Sequence, residues 1–417
     1  MPEVVCSFPQ VLNNLAPCLA QGGLDVNTAN FISILLGVVL VAALPLATLL
    51  FLLVVERKVA ARVQDRIGPN RVGPYGFFQS IPDALKMMTK EDITPAGADK
   101  FIYNLAPIIA FASVVLLWAV IPFTPLHVGA NLSIGALYVI AVASIGTVKI
   151  MVAGWSSNNK YALLGAFRTI AQLLSYEVPL VLSLLIPVMI GGTISMQGLV
   201  DAQHGMWFFF MAPVAAVMFF VANLAETGRA PFDLLEAESE IIAGYNIEYS
   251  GFKWGMFMAG EFMHAFTAAV LFAVIFLGGW LGPGVDQVPI LGFVYLGLKT
   301  SVVYIFGLVL RATVPRVRID QLMAFNWKFL VPLAIINILV TALLLQVVSW
   351  LGIAPQGEAA NDLIANIPQT IVLLLGNLGV MGVVSTLVRN MGRRQRLEDE
   401  APETGAEIEE LAHAAAH

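Results

Sequence analysis

Glu177 and Glu261 are carboxylates set inside stretches that are otherwise apolar, Glu177 within SYEVPLVLSLL and Glu261 a few residues beyond Trp254. Glu56 and Glu226 close apolar stretches of their own. An ionised acid at the centre of a bilayer costs about 2.5–3.5 kcal/mol on insertion scales. Such a group can therefore alternate between charged and neutral forms as neighbours or water move, which is the chemistry of a proton relay. One buried acid is equally well explained by a hydrogen bond to an adjacent helix; several together favour function.

A second group lies in AETGRAPFDLLEAESEIIAGYNIEYSG, where Glu226, Asp233, Glu236, Glu238, Glu240 and Glu248 face only Arg229. In a helix Glu236 and Glu240 are i,i+4 neighbours, and two like charges so placed favour a shared proton. A charge run is ordinarily a solvated loop. Here Pro231-Phe232, Leu234-Leu235, Ile241-Ile242 and Tyr245 interleave the acids, which points to a loop folded against something. A proton funnel is one use and a docking surface for a soluble partner is the rival.

The third group is ERKVAARVQDRIGPNRVGPYGFFQS, Glu56 to Ser80. Its GPNRVGP core sets two tight turns, because proline presets φ and glycine permits positive φ. Arg66 and Arg71 are thereby held near a membrane surface, as anchors to anionic headgroups or as the rim of a portal bounded by Phe77 and Phe78. A fourth, RATVPRVRIDQLMAFNWK, carries Arg311, Arg316, Arg318 and Asp320. Lys299 lies deep in an apolar stretch and calls for a carboxylate partner, with Glu177 and Glu261 the candidates.

The elements that must position these groups are membrane helices. Of 417 residues, 58% are apolar and 12% charged, with a mean hydropathy of +0.82. Soluble domains carry about 25% charge, so the chain reads as an all-α integral membrane protein, and nucleic-acid binding and most soluble enzyme classes are excluded. A span needs roughly 20 apolar residues. The expected spans are 31–55, 102–122, 132–152, 165–190, 206–225, 254–281, 288–310, 328–351 and 367–388. That makes about nine transmembrane helices. Phe77, Phe78, Ile81, Leu85 and Met88 share one helical face opposite Gln79, Asp83 and Lys86, too short to span, which predicts one interfacial amphipathic helix.

The division expected is an outer-face segment 1–30, an eight-helix core 31–351, a loop and extra helix 352–391, and a charged tail 392–417. Of 22 basic residues, only Lys299 falls deep within an expected span. The rest flank the long loops Glu56–Lys100 and Glu226–Lys253 and their neighbours, while the alternate loops hold none. The excess of Lys and Arg on one side sets the N-terminus outside and the C-terminus inside. Residues 1–30 contain no Lys or Arg and lack the basic start of a signal peptide.

Cys6 and Cys18 cannot hold an iron–sulfur cluster by themselves, and the five histidines form no metal pattern. No nucleotide-binding glycine motif is present. No metal or covalently bound cofactor is expected.

Taken together, QDRIGPNRVGPYGFFQ, SSNNKYALLGAFR with AQLLSYEV, AETGRAPFDLLEAESE with GYNIEYSG, and RATVPRVRIDQLM with WK resemble one family. It is the family of the H subunit of NADH-quinone oxidoreductase, the membrane-heel component of respiratory complex I, matched from about Phe31 to Trp350. The resemblance implies a subunit without redox centres, whose substrate is ubiquinone or menaquinone. Its implied partners are hydrophilic quinone-module subunits, adjacent membrane subunits and lipid, in an energy-transducing membrane such as the bacterial inner membrane. Glu56, Arg57, Arg66, Phe77, Phe78, Asp83 and Lys86 would belong to the quinone tunnel. Glu177, Glu226, Asp233, Glu236, Glu238, Glu240 and Glu261 would form the proton path. Arg229, Lys299, Arg311, Arg316, Arg318 and Asp320 would brace the loops through ion pairs.

The chain departs from the family pattern in several places. Gly228 replaces an asparagine, Pro82 an alanine, and Phe262 a tyrosine that would have been a partner for Glu261. Everything beyond about Asn366 exceeds the usual eight helices. Rival readings are the same subunit in a ferredoxin- or deazaflavin-dependent relative, a self-contained ion transporter, and a purely structural anchor.

Overall fold

The computed structural model describes residues 25–125, 127–233, 244–285, 287–355 and 361–399, with side chains to residue 393. Among these the chain is helical, with an isolated bridge between Pro122 and Val128. Helix α1 is Val26–Val63, α2 Ser80–Thr89, α3 Lys100–Leu117, α4 Gly135–Ser156, α5 Lys160–Gly191, α6 Met196–Asp201 and α7 Phe208–Met211. Then come α8 Pro213–Glu226, α9 Gly251–Phe276, α10 Ile290–Thr313, α11 Ile319–Phe325, α12 Val331–Trp350 and α13 Leu363–Asp399. Among the described residues, eight helices are long and apolar enough to cross a membrane, α11 and α12 counting as one. The all-α membrane class read from composition is borne out.

The expected span 206–225 is built differently from the others. It breaks into α7 and α8 at Ala212, whose backbone leaves the helical region (φ −136°, ψ 64°). Pro213 opens α8, and the residue before a proline is pushed out of the α region by the ring. A hydropathy window cannot see that steric term. Helix α8 has 14 residues, about 21 Å of rise against the ~30 Å of a hydrocarbon core. It lies at the centre of the bundle, with Val214, Ala215, Met218, Phe219, Ala222, Asn223 and Ala225 all buried.

Apolar helices gain little from touching each other in lipid, so close backbone approach and internal hydrogen bonds hold the bundle. At Gly165 of α5 a Cβ would sit 2.8 Å from the backbone of Gly244, so only glycine lets the two segments meet. The loop entering α9 is fixed at the same place by Tyr249, stacked on Tyr103 at 4.1 Å. Burial pushes the Tyr249 phenol up to about 12, keeping it a hydrogen-bonding hydroxyl at neutral pH. Helix α11 joins α12 through a π turn, Asn326–Leu330. There the buried Asn326 Nδ2 donates to the Ser175 carbonyl at 2.6 Å, and the Tyr176 hydroxyl donates to the Leu322 carbonyl at 3.0 Å. Helix α13 packs on α12, α7 and α8.

The segment between α1 and α3 contains the short helix expected there. A 3₁₀ stretch, Pro74–Gln79, leads into the ten residues of α2. Pro82 sits in its first turn rather than opening it. Ser80 Oγ donates to the Leu50 carbonyl at 2.5 Å, tying α2 to α1, while Ile81, Leu85 and Met88 stay exposed. Gly68 and Gly73 have positive φ, as the turn motif predicts, and so does Gly76 just beyond it. At Gly76 (φ +74°) a Cβ would stand 2.3 Å from the Pro69 carbonyl oxygen. Gly76→Ala is therefore expected to destabilise this region by about 1–3 kcal/mol. It should lower the thermal midpoint of the detergent-purified assembly; an unchanged melt would refute the close approach.

Candidate functional site

The candidate side chains around Glu56 gather at the end of the bundle where α1 and α8 run out. Glu56 lies two turns from the end of α1 and is 8% exposed. Its Oε1 accepts from Arg229 Nη1 at 2.6 Å and from Arg311 Nη1, and its Oε2 accepts from the Tyr304 hydroxyl at 3.3 Å. Tyr304 and Arg311 are seven residues apart on α10, so two helical turns bring both to one face. Arg229 arrives from the turn after α8, where Gly228 takes φ +60°, and its guanidinium lies over the Phe262 ring at 5.1 Å. A carboxylate removed from water needs its lone pairs filled; three donors from two remote segments do this for Glu56.

Beside this cluster opens a cavity of about 640 Å³ whose wall includes Glu56, Arg57, Arg66, Phe262, Leu308 and Arg311. The three arginines outnumber the single acid, so the wall suits an electron-rich, oxygen-bearing guest, and its volume is in the range of small-molecule sites (~300–1,000 Å³). Asp83 does not line it but pairs with Arg57 at 2.5 Å and fixes that guanidinium. Phe77, Phe78 and Lys86 are also outside the lining and exposed; Phe77 rests against Phe51 at 5.9 Å and Phe78 at 5.7 Å. Of the seven residues assigned to this site by sequence, Glu56, Arg57 and Arg66 line the cavity, Asp83 supports it, and Phe77, Phe78 and Lys86 lie exposed outside it.

A second cavity, about 20 Å³, lies between α4, α5, α8 and α9, and Glu177, Glu226, Glu261, His264 and Lys149 surround it. His264 Nε2 stands 3.9 Å from Glu226 Oε1, Ser144 Oγ donates to Glu177 Oε1, and the Tyr245 hydroxyl donates to Glu261 Oε1 at 3.0 Å. Tyr245 thus fills the role that Phe262 gives up as neighbour of Glu261. Three carboxylates from three helices share one small space with a lysine and a histidine, so a proton on any of them changes the balance at all. Asp233 is half-buried and close enough to act on Glu261 electrostatically. Glu236, Glu238 and Glu240 lie outside the described residues.

The expectations for the cations need correction in two places. Lys299 does not meet a carboxylate: its Nζ donates to the carbonyls of Gly279 and Leu281 at 3.0 and 2.8 Å and lies over the Trp207 ring at 4.6 Å. The carbonyls past the end of α9 carry partial negative charge and serve in place of an acid. Lys149, sorted with the loop flanks, is 6% exposed inside α4 among the acids. Arg229 and Arg311 do brace the loops through Glu56, helped by the Val317 amide donating to the Pro231 carbonyl at 3.0 Å. Arg316 is half-buried beside that link. Arg318 and Asp320 are exposed, and no ion pair joins either to another described residue. Sequence reading does not single out His264 or Tyr304, and it treats Tyr245 only as an apolar group among the acids, not as a partner of Glu261. His264 had a signal, three residues beyond Glu261 on the same helical face; the tyrosines had none at short range.

Among the described residues no three His, Cys, Asp or Glu side chains gather in a metal-binding arrangement. A sequence model of the NADH dehydrogenase family matches residues 35–342. The chain belongs to that family. It is 46% identical over 311 residues to the H subunit of NADH-quinone oxidoreductase in Geobacillus sp. (strain WCH70), covering 74% of this chain and 92% of that one. Against the protein of the same name in Dehalococcoides mccartyi (strain CBDB1) it is 46% identical over 312 residues, 75% and 87% of the two chains. For that of Geobacillus kaustophilus (strain HTA426) the figure is 47% over 308 residues, 74% and 92%. The resemblance carried by the four motif groups is borne out. The family match includes Glu56, Glu177, Glu226, Glu261 and Arg311 and stops before α13.

Proposed function

We propose that this chain is the membrane subunit of a proton-translocating NADH-quinone oxidoreductase, with two linked tasks. In the first, the arginine-walled cavity beside Glu56 receives the quinone headgroup. A quinone gains negative charge as it is reduced, and Arg66, Arg57 and Arg311 offer the compensating positive field. Phe77, Phe78 and the exposed apolar residues of α2 form the membrane-side approach for its isoprenoid tail.

In the second, Glu177, Glu226 and Glu261, with Lys149 and His264, exchange protons in response to that charge, and Asp233 with Glu236, Glu238 and Glu240 supplies them from the loop side. The observation that carries the reading is Glu56: one carboxylate lines the cavity and also holds Arg229, three residues beyond Glu226. Adding charge in the cavity must alter the pull on Arg229 and so the field at the acids. On this reading the loop end faces the cytoplasm of a bacterial cell, the N-terminus is outside, and hydrophilic quinone-module subunits cover the loops. Adjacent membrane subunits pass the charge change on.

A photoreactive quinone analogue tests the first task. In the intact complex it should label the peptide carrying Arg57 and Arg66, and excess quinone should suppress the label. Labelling confined to other subunits would sink the assignment.

A further inference from the structure

The motif SSNNKYALLGAFR has no part in the cavities described above. It borders a separate one, about 780 Å³, where α4 ends and α5 begins. Ser157, Asn158, Asn159, Lys160 and Leu163 of the motif line it, and Glu248 joins them from the segment entering α9.

The local geometry fixes the acid. Asn158 takes φ +47°, a conformation asparagine tolerates, and the chain turns there from α4 into α5. Asn159 then acts in two directions. Its Oδ1 accepts from the Tyr161 amide at 2.9 Å and caps α5, while its Nδ2 donates to Glu248 Oε1 at 2.6 Å. The Tyr103 hydroxyl donates to the Glu248 backbone carbonyl at 2.7 Å.

Lys160 and Glu248 are the two charges of the lining, yet no ion pair joins them or links either to another described residue. Lys160 Nζ lies over the Tyr161 ring at 5.3 Å. Lys253, the cation over the Tyr103 ring, is already held by Asp92 at 2.9 Å. Opposite charges lining one cavity without meeting match a guest that carries both. The volume is in the range of small-molecule sites (~300–1,000 Å³). Trp155 forms part of the wall and is 65% exposed; tryptophan concentrates where membrane meets water. Beyond it Leu164, Phe167 and Leu174 are exposed on α5 at helical spacing, an apolar track that leaves the cavity along the helix.

We propose that this cavity binds the headgroup of a zwitterionic phospholipid carrying a primary ammonium, of the phosphatidylethanolamine class. Lys160 takes the phosphate, Glu248 takes the ammonium, and the acyl chains follow α5. The helix dipoles agree with that direction. Helix α5 begins at Lys160, so its first amides favour the phosphate, and α4 ends at Ser156 with carbonyls that favour the ammonium. A choline group has no N–H to give Glu248, and an anionic lipid leaves that carboxylate unanswered, so both bind more weakly.

The test uses the intact complex in nanodiscs and a photoactivatable phosphatidylethanolamine whose reactive group sits high on an acyl chain. It should label the peptide carrying Trp155 to Arg168. Excess phosphatidylethanolamine should suppress the label about fivefold more strongly than phosphatidylcholine or phosphatidylglycerol. Lys160→Gln and Glu248→Gln should each cut labelling about fivefold. In Glu248→Gln, phosphatidylglycerol should compete as well as phosphatidylethanolamine. Lys160 is exposed, and the amide oxygen of Glu248→Gln still accepts from Asn159, so complex yield should hold; should a variant fail to assemble, the competition series in the wild type decides. Equal suppression by all three lipids, unchanged labelling in both variants, or a wild-type complex in which a protein subunit shields Lys160 and no label enters would each overturn the proposal.

Discussion

Glu56→Gln is expected to reduce quinone turnover by two to three orders of magnitude and to lower the yield of assembled complex. The amide keeps the size of the side chain but leaves Arg229 and Arg311 facing each other without a counter-charge. Removing one partner of a buried ion pair costs about 3–5 kcal/mol. A second substitution separates stability from function. Adding Arg229→Met to Glu56→Gln removes the buried surplus charge while the half-exposed Arg311 stays solvated, so yield and thermal midpoint should recover while turnover stays low. Full turnover in the single variant would show that the shared carboxylate is incidental; full turnover in the double variant would confine its role to folding.

The second large effect is at Glu261. Glu261→Gln preserves shape, and the Tyr245 hydroxyl, now 3.0 Å from the carboxylate, can donate to the amide oxygen as well. Only the ability to gain and lose a proton disappears. If the acid takes part in proton transfer, pumping by the complex in liposomes should fall roughly 10²-fold, the lower end for a general acid–base group. Labelling by the quinone analogue should persist. Pumping and turnover both near wild type would remove Glu261 from the path, whatever its neighbours do.

Much of the architecture was legible without coordinates because lipid imposes a simple rule. Backbone groups must be satisfied within a helix, so long apolar runs can be read one at a time. The short α2 was legible for a related reason: its apolar residues repeat with helical spacing over too few residues to span. The site was legible in part. Glu177, Glu226 and Glu261 stand out because a lone acid in an apolar run has a cost that demands a partner, and they do converge.

Which partner each group finds was not legible. Lys299 is satisfied by two carbonyls and an indole, groups present in every protein and marked by no charge in the sequence. Lys149 was misjudged because counting basic residues at helix ends cannot tell a flank from a residue one turn deeper. Tyr304 meets Glu56 across 248 residues, a separation at which spacing carries no information.

That separation has a consequence for how the chain is made. Glu56 is synthesised 173 residues ahead of Arg229 and 255 residues ahead of Arg311, intervals on the order of 10–50 s at ~5–20 residues per second. Until Arg229 emerges the nascent protein carries that anion with no guanidinium beside it, and until Arg311 emerges it has only one. A product stalled before α10 is thereby distinguishable from one that has passed it, since the full set of donors to Glu56 needs Tyr304 and Arg311. The clasp therefore doubles as a mark that α10 has been made and has docked on α1.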